Sequence, residues 1–493
     1  MKNFIITFAF LSGITLLPAC SKFVDYDPVE DYQITADVYF TTPDDYQKMV
    51  IGTYSPLQWM WANVVIGDVA SDNSVSGGEN ATDQVGFQQI DDYQIVPNND
   101  YLTEAWRSCY EGINRANYLE ENKSKLNFTG KDALYGEVYF LRAYYYFELV
   151  RMFGDVPLFT EKRLTASDSR QLQRAPKADV YKQVEADLNA AIAVLPATNP
   201  QKGRITKHAA QALLGKVLLY QGKFDQAATM LENVIAGPFN LVADFGSIFL
   251  ASGENGPESV FEIQYSNLSP FYDWTNPGRG QGNLAVQVCG IRNLTGSSPY
   301  GQGWSTNLPT KNLADAYTAG DKRKAVTILD IEAYKAANPG FGITYLVAPY
   351  KNTGLYNQKY HPRKGETSGQ VELNYLNNFR TIRFADVLLM AAEAHNRKAT
   401  PDVTKAQTYL NRVRARAFGD NNHNITLTGA QLTDAIWEER RLEFAMEGDR
   451  YFDLVRTGKA AQKITGFVAG KNEVFPIPQR EIDISGLTQN NGY

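Results

Sequence analysis

The stretch AAQALLGKVLLYQGKFDQAATMLENVIA, residues 209–236, constrains the fold more than any other part of this 493-residue chain. Ala210, Leu213, Leu214, Val217 and Leu218 recur three and four residues apart, which lays them along one face of a helix. Gly222 marks a turn, and Phe224, Ala227, Ala228, Leu231 and Ile235 then resume the pattern. Gly215 and Ala227 stand where small side chains let two antiparallel helices cross closely, at the spacing of a tetratricopeptide repeat. The Trp and Tyr of that repeat's consensus are absent, so this is a degenerate copy. Helix pairs of this kind stack on one another to share a continuous core.

The same periodicity recurs elsewhere. Val138, Leu141, Tyr145, Leu149 and Met152 form a stripe within Tyr135–Met152, which Gly154 and Pro157 stop. Asp179–Leu195 reads as a helix ended by Pro196, and Phe384–Arg397 pairs with Ala406–Ala417. The expected fold is therefore mainly α: a tetratricopeptide-like helical-repeat scaffold with pairs at roughly 104–152, 179–236 and 384–417. Long loop-rich insertions are expected at about 54–100 and 259–375, with a few short strands such as Ser259–Tyr265. No low-complexity linker divides the chain, so residues 20–493 read as a single domain.

The chemistry that the chain lacks narrows its function. A net charge of -6 without clustered Lys and Arg argues against nucleic acid as a partner. The four His form no close pair, and neither HExxH nor CxxC occurs, which speaks against a transition-metal site. No cofactor is expected; a loop Ca²⁺ stays open, although no EF-hand spacing is present. There is no Walker loop or GxSxG elbow, and the GxGxG at 278–282 lacks a strand–turn–helix context. With 54 Asp and Glu a facing pair can always be imagined, so a glycosidase gains no weight. Glu439 falls inside the apolar stripe of Leu432, Ala435, Ile436, Leu442 and Met446, which calls for a buried ion pair with Arg440, Arg441 or Arg450. Cys109 and Cys289 read as two separate buried thiols, while a disulfide between them stays open because spacing does not decide it.

The first 20 residues read as an address. Lys2 precedes an apolar run from Phe4 to Leu17 that is too short for a membrane span. Leu17-Pro18-Ala19-Cys20 resembles a lipobox, so residues 1–19 are expected to be a signal peptide and Cys20 a lipidated N-terminus. Several acyl chains on one cysteine suffice to hold a protein to a bilayer.

Four segments resemble the SusD/RagB family: LRAYYYFELVRMFGDVPL (141–158), FRTIRFADVLLMAAEAHNR (379–397), EERRLEFAMEGDRYFDLVRTGK (438–459) and FPIPQREIDISGLTQNNGY (475–493). Ser485-Gly486 stands where the family commonly has Asn-Pro, which touches only a turn. The resemblance implies a surface lipoprotein of the outer membrane without catalytic activity. It also implies a SusC-like TonB-dependent β-barrel transporter as partner and an oligosaccharide, or in some branches a peptide, as ligand. A structural adaptor that binds no small ligand is the third reading.

Sugar rings stack their C–H faces on Trp and Tyr while their hydroxyls pair with planar polar groups. On that basis Tyr272, Trp274, Tyr300 and Trp304, in the glycine-rich stretch 266–311, are the first candidate ligand contacts. Trp59, Trp61, Asp68, Asp72 and Asn73 form a second candidate cluster. The anchor itself is directly testable: Cys20→Ala should move the protein from the membrane pellet to the soluble fraction, as read by fractionation and immunoblot.

Overall fold

The computed structural model describes residues 39–493 except Ala166, residues 275–278, Val371 and the side chain of Gln171. The signal peptide and Cys20 lie outside the described residues. Paired helices run through the molecule. α1 (Pro43–Trp59) continues into α2 (Trp61–Val69); α1 packs on α3 (Asp100–Glu121), and α3 on α4 (Lys131–Phe153). The stack proceeds through α5 (Lys177–Val194), α6 (Lys207–Tyr220) and α7 (Phe224–Ile235) to α8 (Phe384–Arg397). α9 (Val403–Phe418) and α10 (Gly429–Glu443) then pack on α8. The helix pairs expected from the apolar periodicity are all present.

The 209–236 motif breaks into α6 and α7 at Gly222, whose φ of +70° suits a residue without Cβ. Gly215 sits at the crossing: a Cβ added there would lie 2.6 Å from Leu231 of α7. Thr206 caps α6 by accepting from the Ala209 amide, and Asn99 caps α3 through the amides of Tyr101 and Leu102. α4 is buried nearly all round, with Tyr144, Tyr145, Tyr146 and Phe147 in succession in the core. This explains why the Val138–Met152 stripe understates its burial.

One expectation fails. Residues 54–69 are not loop but the end of α1 and all of α2, with Pro56 inside the first helix. The run of Trp, Asn and Asp there resembles a loop in composition, yet Trp59, Asn63 and Asp68 are all buried by tertiary packing. The 259–375 stretch does hold mostly irregular chain. It contributes β2 (Ser259–Ile263), antiparallel to β4 (Phe379–Arg383), and β3 (Asn307–Pro309), antiparallel to β1 (Ser74–Ser76).

A buried charge cluster ties this irregular half to the helices. Glu443 on α10 takes Arg383 at 3.0 Å, Arg416 at 2.5 Å and Arg323 at 3.1 Å, all nearly solvent-free. Glu447 takes Lys359 at 2.6 Å and Arg383 at 2.8 Å, and Glu258 takes Arg383 at 2.7 Å and Arg416 at 3.2 Å. Glu439 is buried and ion-paired, but not with its sequence neighbours: its partners are Arg323 and Arg414, each at 2.6 Å. Residues one or two apart on a helix do not face each other, so Arg440 and Arg441 point elsewhere. Arg440 reaches Asp386 at 2.6 Å, while Arg441 and Arg450 reach Asp72.

Burial alone would raise the Glu443 carboxyl, yet Arg416, Arg383, Arg323 and Lys359 together hold it far below the carboxylate range. Lys359, desolvated first and supported by Glu447 second, is pushed down to about 8. Cys109 and Cys289 are separate, buried thiols, both raised mainly by burial.

Removing one member of such a cluster strands its partners. Glu443→Ala should cost about 3–5 kcal/mol in urea unfolding at neutral pH. Because the folded carboxyl titrates far below its unfolded counterpart, its contribution is present above about pH 4.3 and lost as the pH falls further. The gap between wild type and variant should narrow in that acid range.

Candidate functional site

The best-formed surface platform is built by two pieces of the irregular stretch. Residues 303–306 run against the short helix Leu284–Cys289 and the turn after it: Trp304 N–H donates to the Gln287 carbonyl at 2.9 Å, Ser305 N–H to Gly290 at 2.7 Å and Thr306 N–H to Val288 at 2.9 Å. Gly290 and Gly303 allow that approach, since a Cβ on Gly303 would lie 2.3 Å from the Gly290 Cα. The Trp304 indole is thereby half-buried, with its edge anchored. The Gln287 side-chain oxygen accepts from Trp304 Nε1 at 3.1 Å, and its nitrogen donates to the Tyr375 hydroxyl at 3.1 Å and the Glu372 carbonyl at 3.2 Å.

Arg292 braces the same spot from outside. Its Nη2 and Nε donate to the Trp304 carbonyl at 3.0 and 3.3 Å, and its guanidinium also holds Asp83 and Glu79 of the neighbouring loop. The second piece is the loop 266–274, pinned by Asn374. The Tyr272 amide donates to Asn374 Oδ1 at 2.8 Å, and Asn374 Nδ2 donates to the Tyr272 carbonyl at 3.0 Å. From it Trp274 projects with 58% of its surface exposed, its ring centre 6.0 Å from that of Trp304 and inclined by 33°. Phe271, 39% exposed, stands three residues away.

The candidate residues thus divide. Trp274 and Trp304 form a pair, with Tyr272 on the same loop; burial pushes the Tyr272 hydroxyl up, so it stays a protonated donor. Tyr300 packs elsewhere, against His361 at 4.7 Å and Tyr334 at 5.4 Å, its hydroxyl accepting from Gln358.

The second cluster is not brought to the surface, which corrects the expectation for Trp59, Trp61, Asp68, Asp72 and Asn73. Trp59 is buried, with Arg279 4.0 Å and Arg115 5.1 Å from its ring centre. Trp61 is buried beside Phe87 and Tyr101. Asp68 accepts from Asn307 and from the Gly448 amide, and burial lifts its carboxyl to about 7. Asp72 binds Arg450 at 2.7 and 2.9 Å, and Asn73 accepts from Arg441 at 2.9 Å. The carboxylates of Asp68 and Asp72 and the side-chain oxygen of Asn73 are spent on internal partners, which is what burial of a polar group requires.

Nothing in the sequence singles out Arg292 or Gln287: an arginine and a glutamine among glycines and aromatics acquire meaning only once the two segments meet. Among the described residues no group of three His, Cys, Asp or Glu is placed to hold a metal ion. None of the helices described is long and apolar enough to cross a membrane.

Fold and platform together define a helical-repeat protein that displays aromatic side chains from a loop-built face. The chain belongs to the SusD family. Residues 347–474 match the family described as "SusD family", and residues 26–219 match "Starch-binding associating with outer membrane". A solved "Laminarin binding SusD-like protein" is 34% identical, with a TM-score of 0.83 over 92% of this chain and 100% of that one. Surface glycan-binding protein A from Bacteroides thetaiotaomicron, in complex with laminarihexaose, is 28% identical with a TM-score of 0.80, over 92% and 100% of the two chains. SusD-like protein P2 of Formosa agariphila is 28% identical over the full length of both chains.

If Arg292 is the brace of this face, Arg292→Ala should speed amide hydrogen exchange in residues 78–84 and 303–306. Exchange in α4 and α8 should stay as in wild type, as mass-spectrometric peptide mapping would show.

Proposed function

We propose that this protein captures oligosaccharide at the cell surface on the Trp274–Trp304 pair and passes it to a SusC-like TonB-dependent transporter. The observation that carries the reading is an exposed indole set beside an anchored one. Together they offer an aromatic surface that is open on the Trp274 side, where 58% of the side chain is exposed. Indole faces stack on the C–H faces of sugar rings, and desolvation of those faces supplies the affinity. The 33° inclination between the rings suits a chain whose successive sugars turn relative to one another. Laminarin oligosaccharides are the first ligands to test, because two solved relatives are described as binding laminarin or laminarihexaose.

Capture without cleavage is part of the proposal. A glycosidase needs two free carboxyl groups across the scissile bond. Asp83 and Glu79, the carboxylates that share Arg292 with the Trp304 backbone, are both engaged by that guanidinium. Attachment through lipid on Cys20 would place the platform outside the outer membrane, and the transporter would take the ligand from there. Co-purification of the full chain with its β-barrel partner tests that arm.

Calorimetry with laminarihexaose and with a peptide panel tests the ligand. Saturable binding of the glycan is expected, and saturable binding of peptides alone would reverse the reading. Trp274→Ala should weaken glycan binding roughly ten- to thirtyfold, as loss of a central aromatic anchor does. The melting temperature should not change, since the side chain is mostly exposed. An unchanged dissociation constant would remove Trp274 from the site.

A further inference from the structure

A second cavity lies far from these loops in the sequence. α11 (Arg450–Arg456) and α12 (Ala460–Lys463) follow α10, and between the three helices is a space of about 270 Å³. It is lined by Trp437 and Leu454 together with Asp434, Glu438, Lys459 and Lys463. We propose that this cavity is a second carbohydrate subsite, sized for one sugar ring. The inference rests on the reading that the chain takes glycans, but uses none of the residues of the Trp274–Trp304 platform.

Three observations support it. The first is the indole. Trp437 is half-buried, with Arg397 and Lys459 each 5.5 Å from its ring centre. Of these two cations only Lys459 lines the cavity, and its side chain is 38% exposed. A ligand would therefore displace only the partly exposed Lys459 ammonium to reach the aromatic surface.

The second is the electrostatics. The lining carries three acids, Asp434, Glu438 and Asp453, and three bases, Arg450, Lys459 and Lys463, and so has no net charge. Asp453 is spent on Arg440 and Arg456, and Arg450 on Asp72, which makes them a fixed floor. The rim groups are only loosely engaged: Asp434 meets Lys459 at 3.7 Å and Glu438 meets Arg441 at 3.6 Å, with both carboxylates about half exposed or more. A ligand of either charge would meet like charges on such a rim. A neutral polyhydroxylated ring can donate to the carboxylates and accept from the ammonium groups and from Gln462, another lining residue.

The third is size. At about 270 Å³ the space falls just under the range of about 300–1,000 Å³ typical of drug-sized ligands, which fits one ring and the edge of a second.

The test uses the full mature chain carrying Trp274→Ala and Trp304→Ala together, titrated with laminaribiose and laminarihexaose by ligand-observed NMR. Residual saturable binding is expected, at least about tenfold weaker than in wild type. It should vanish when Trp437→Ala is added and be partly retained with Trp437→Phe. Circular dichroism melts of all variants check that they fold. If wild type binds and the double variant does not, or if its residual binding ignores Trp437→Ala, the second subsite is overturned while the platform stands. If wild type binds no oligosaccharide at all, the platform reading falls as well.

Discussion

The structure depends on an ion-pair cluster almost wholly withdrawn from water. Glu258, Glu439, Glu443, Glu447 and Asp321 meet Arg323, Arg383, Arg414, Arg416 and Lys359, five charges of each sign, in contacts that span residues 258 to 447. Arg383 is central. It sits at the junction of β4 and α8 and touches Glu258, Glu443 and Glu447 at once. Moving a charge out of water is expensive, so these groups are tolerable only as a complete set. That requirement fixes the distance between the start of β2, the start of α8 and the turn after α10. The irregular stretch from 266 to 378 is therefore held at both ends by rigid anchors.

Between those anchors the chain has few regular elements and relies on main-chain hydrogen bonds. Residues 287–291 and 303–306 zip together, glycine opposite glycine, and the pairing presents Trp304. Asn374 holds the loop that carries Trp274. The platform is thus asymmetric. One indole is locked at its edge by Gln287 and at its backbone by Arg292, and the other stands on a loop with most of its surface in solvent.

The helical scaffold was legible in the sequence because apolar spacing is a local signal, and the α6–α7 crossing could be placed from Gly215 and Ala227 alone. That Glu439 is buried and ion-paired was legible too, because a carboxylate inside an apolar stripe has no other recourse. Its partners were not: Arg323 lies more than a hundred residues away, and no local pattern points to it. The same limit governs the site. Aromatic and polar side chains look alike in sequence whether they face solvent or an internal partner, so the 59–73 cluster stands as a second candidate beside the 272–304 cluster. Trp61, Asp68 and Asn73 go inward because α2 is sandwiched by packing on several sides. Trp274 goes outward because its loop is fastened by backbone rather than by its own ring.

The five-and-five balance of the buried cluster has an evolutionary consequence. A single substitution there leaves a bare charge in the interior, so change can enter only as compensating pairs, and such positions should drift slowly. The loop that carries Trp274 is held by Asn374 at the Tyr272 peptide groups, which every residue type possesses. With Asn374, Arg292, Gly290 and Gly303 kept, its exposed side chains can be exchanged without unfastening the loop. A lineage could therefore retune which polymer it gathers by altering a few exposed rings, while the chassis beneath stays almost unchanged.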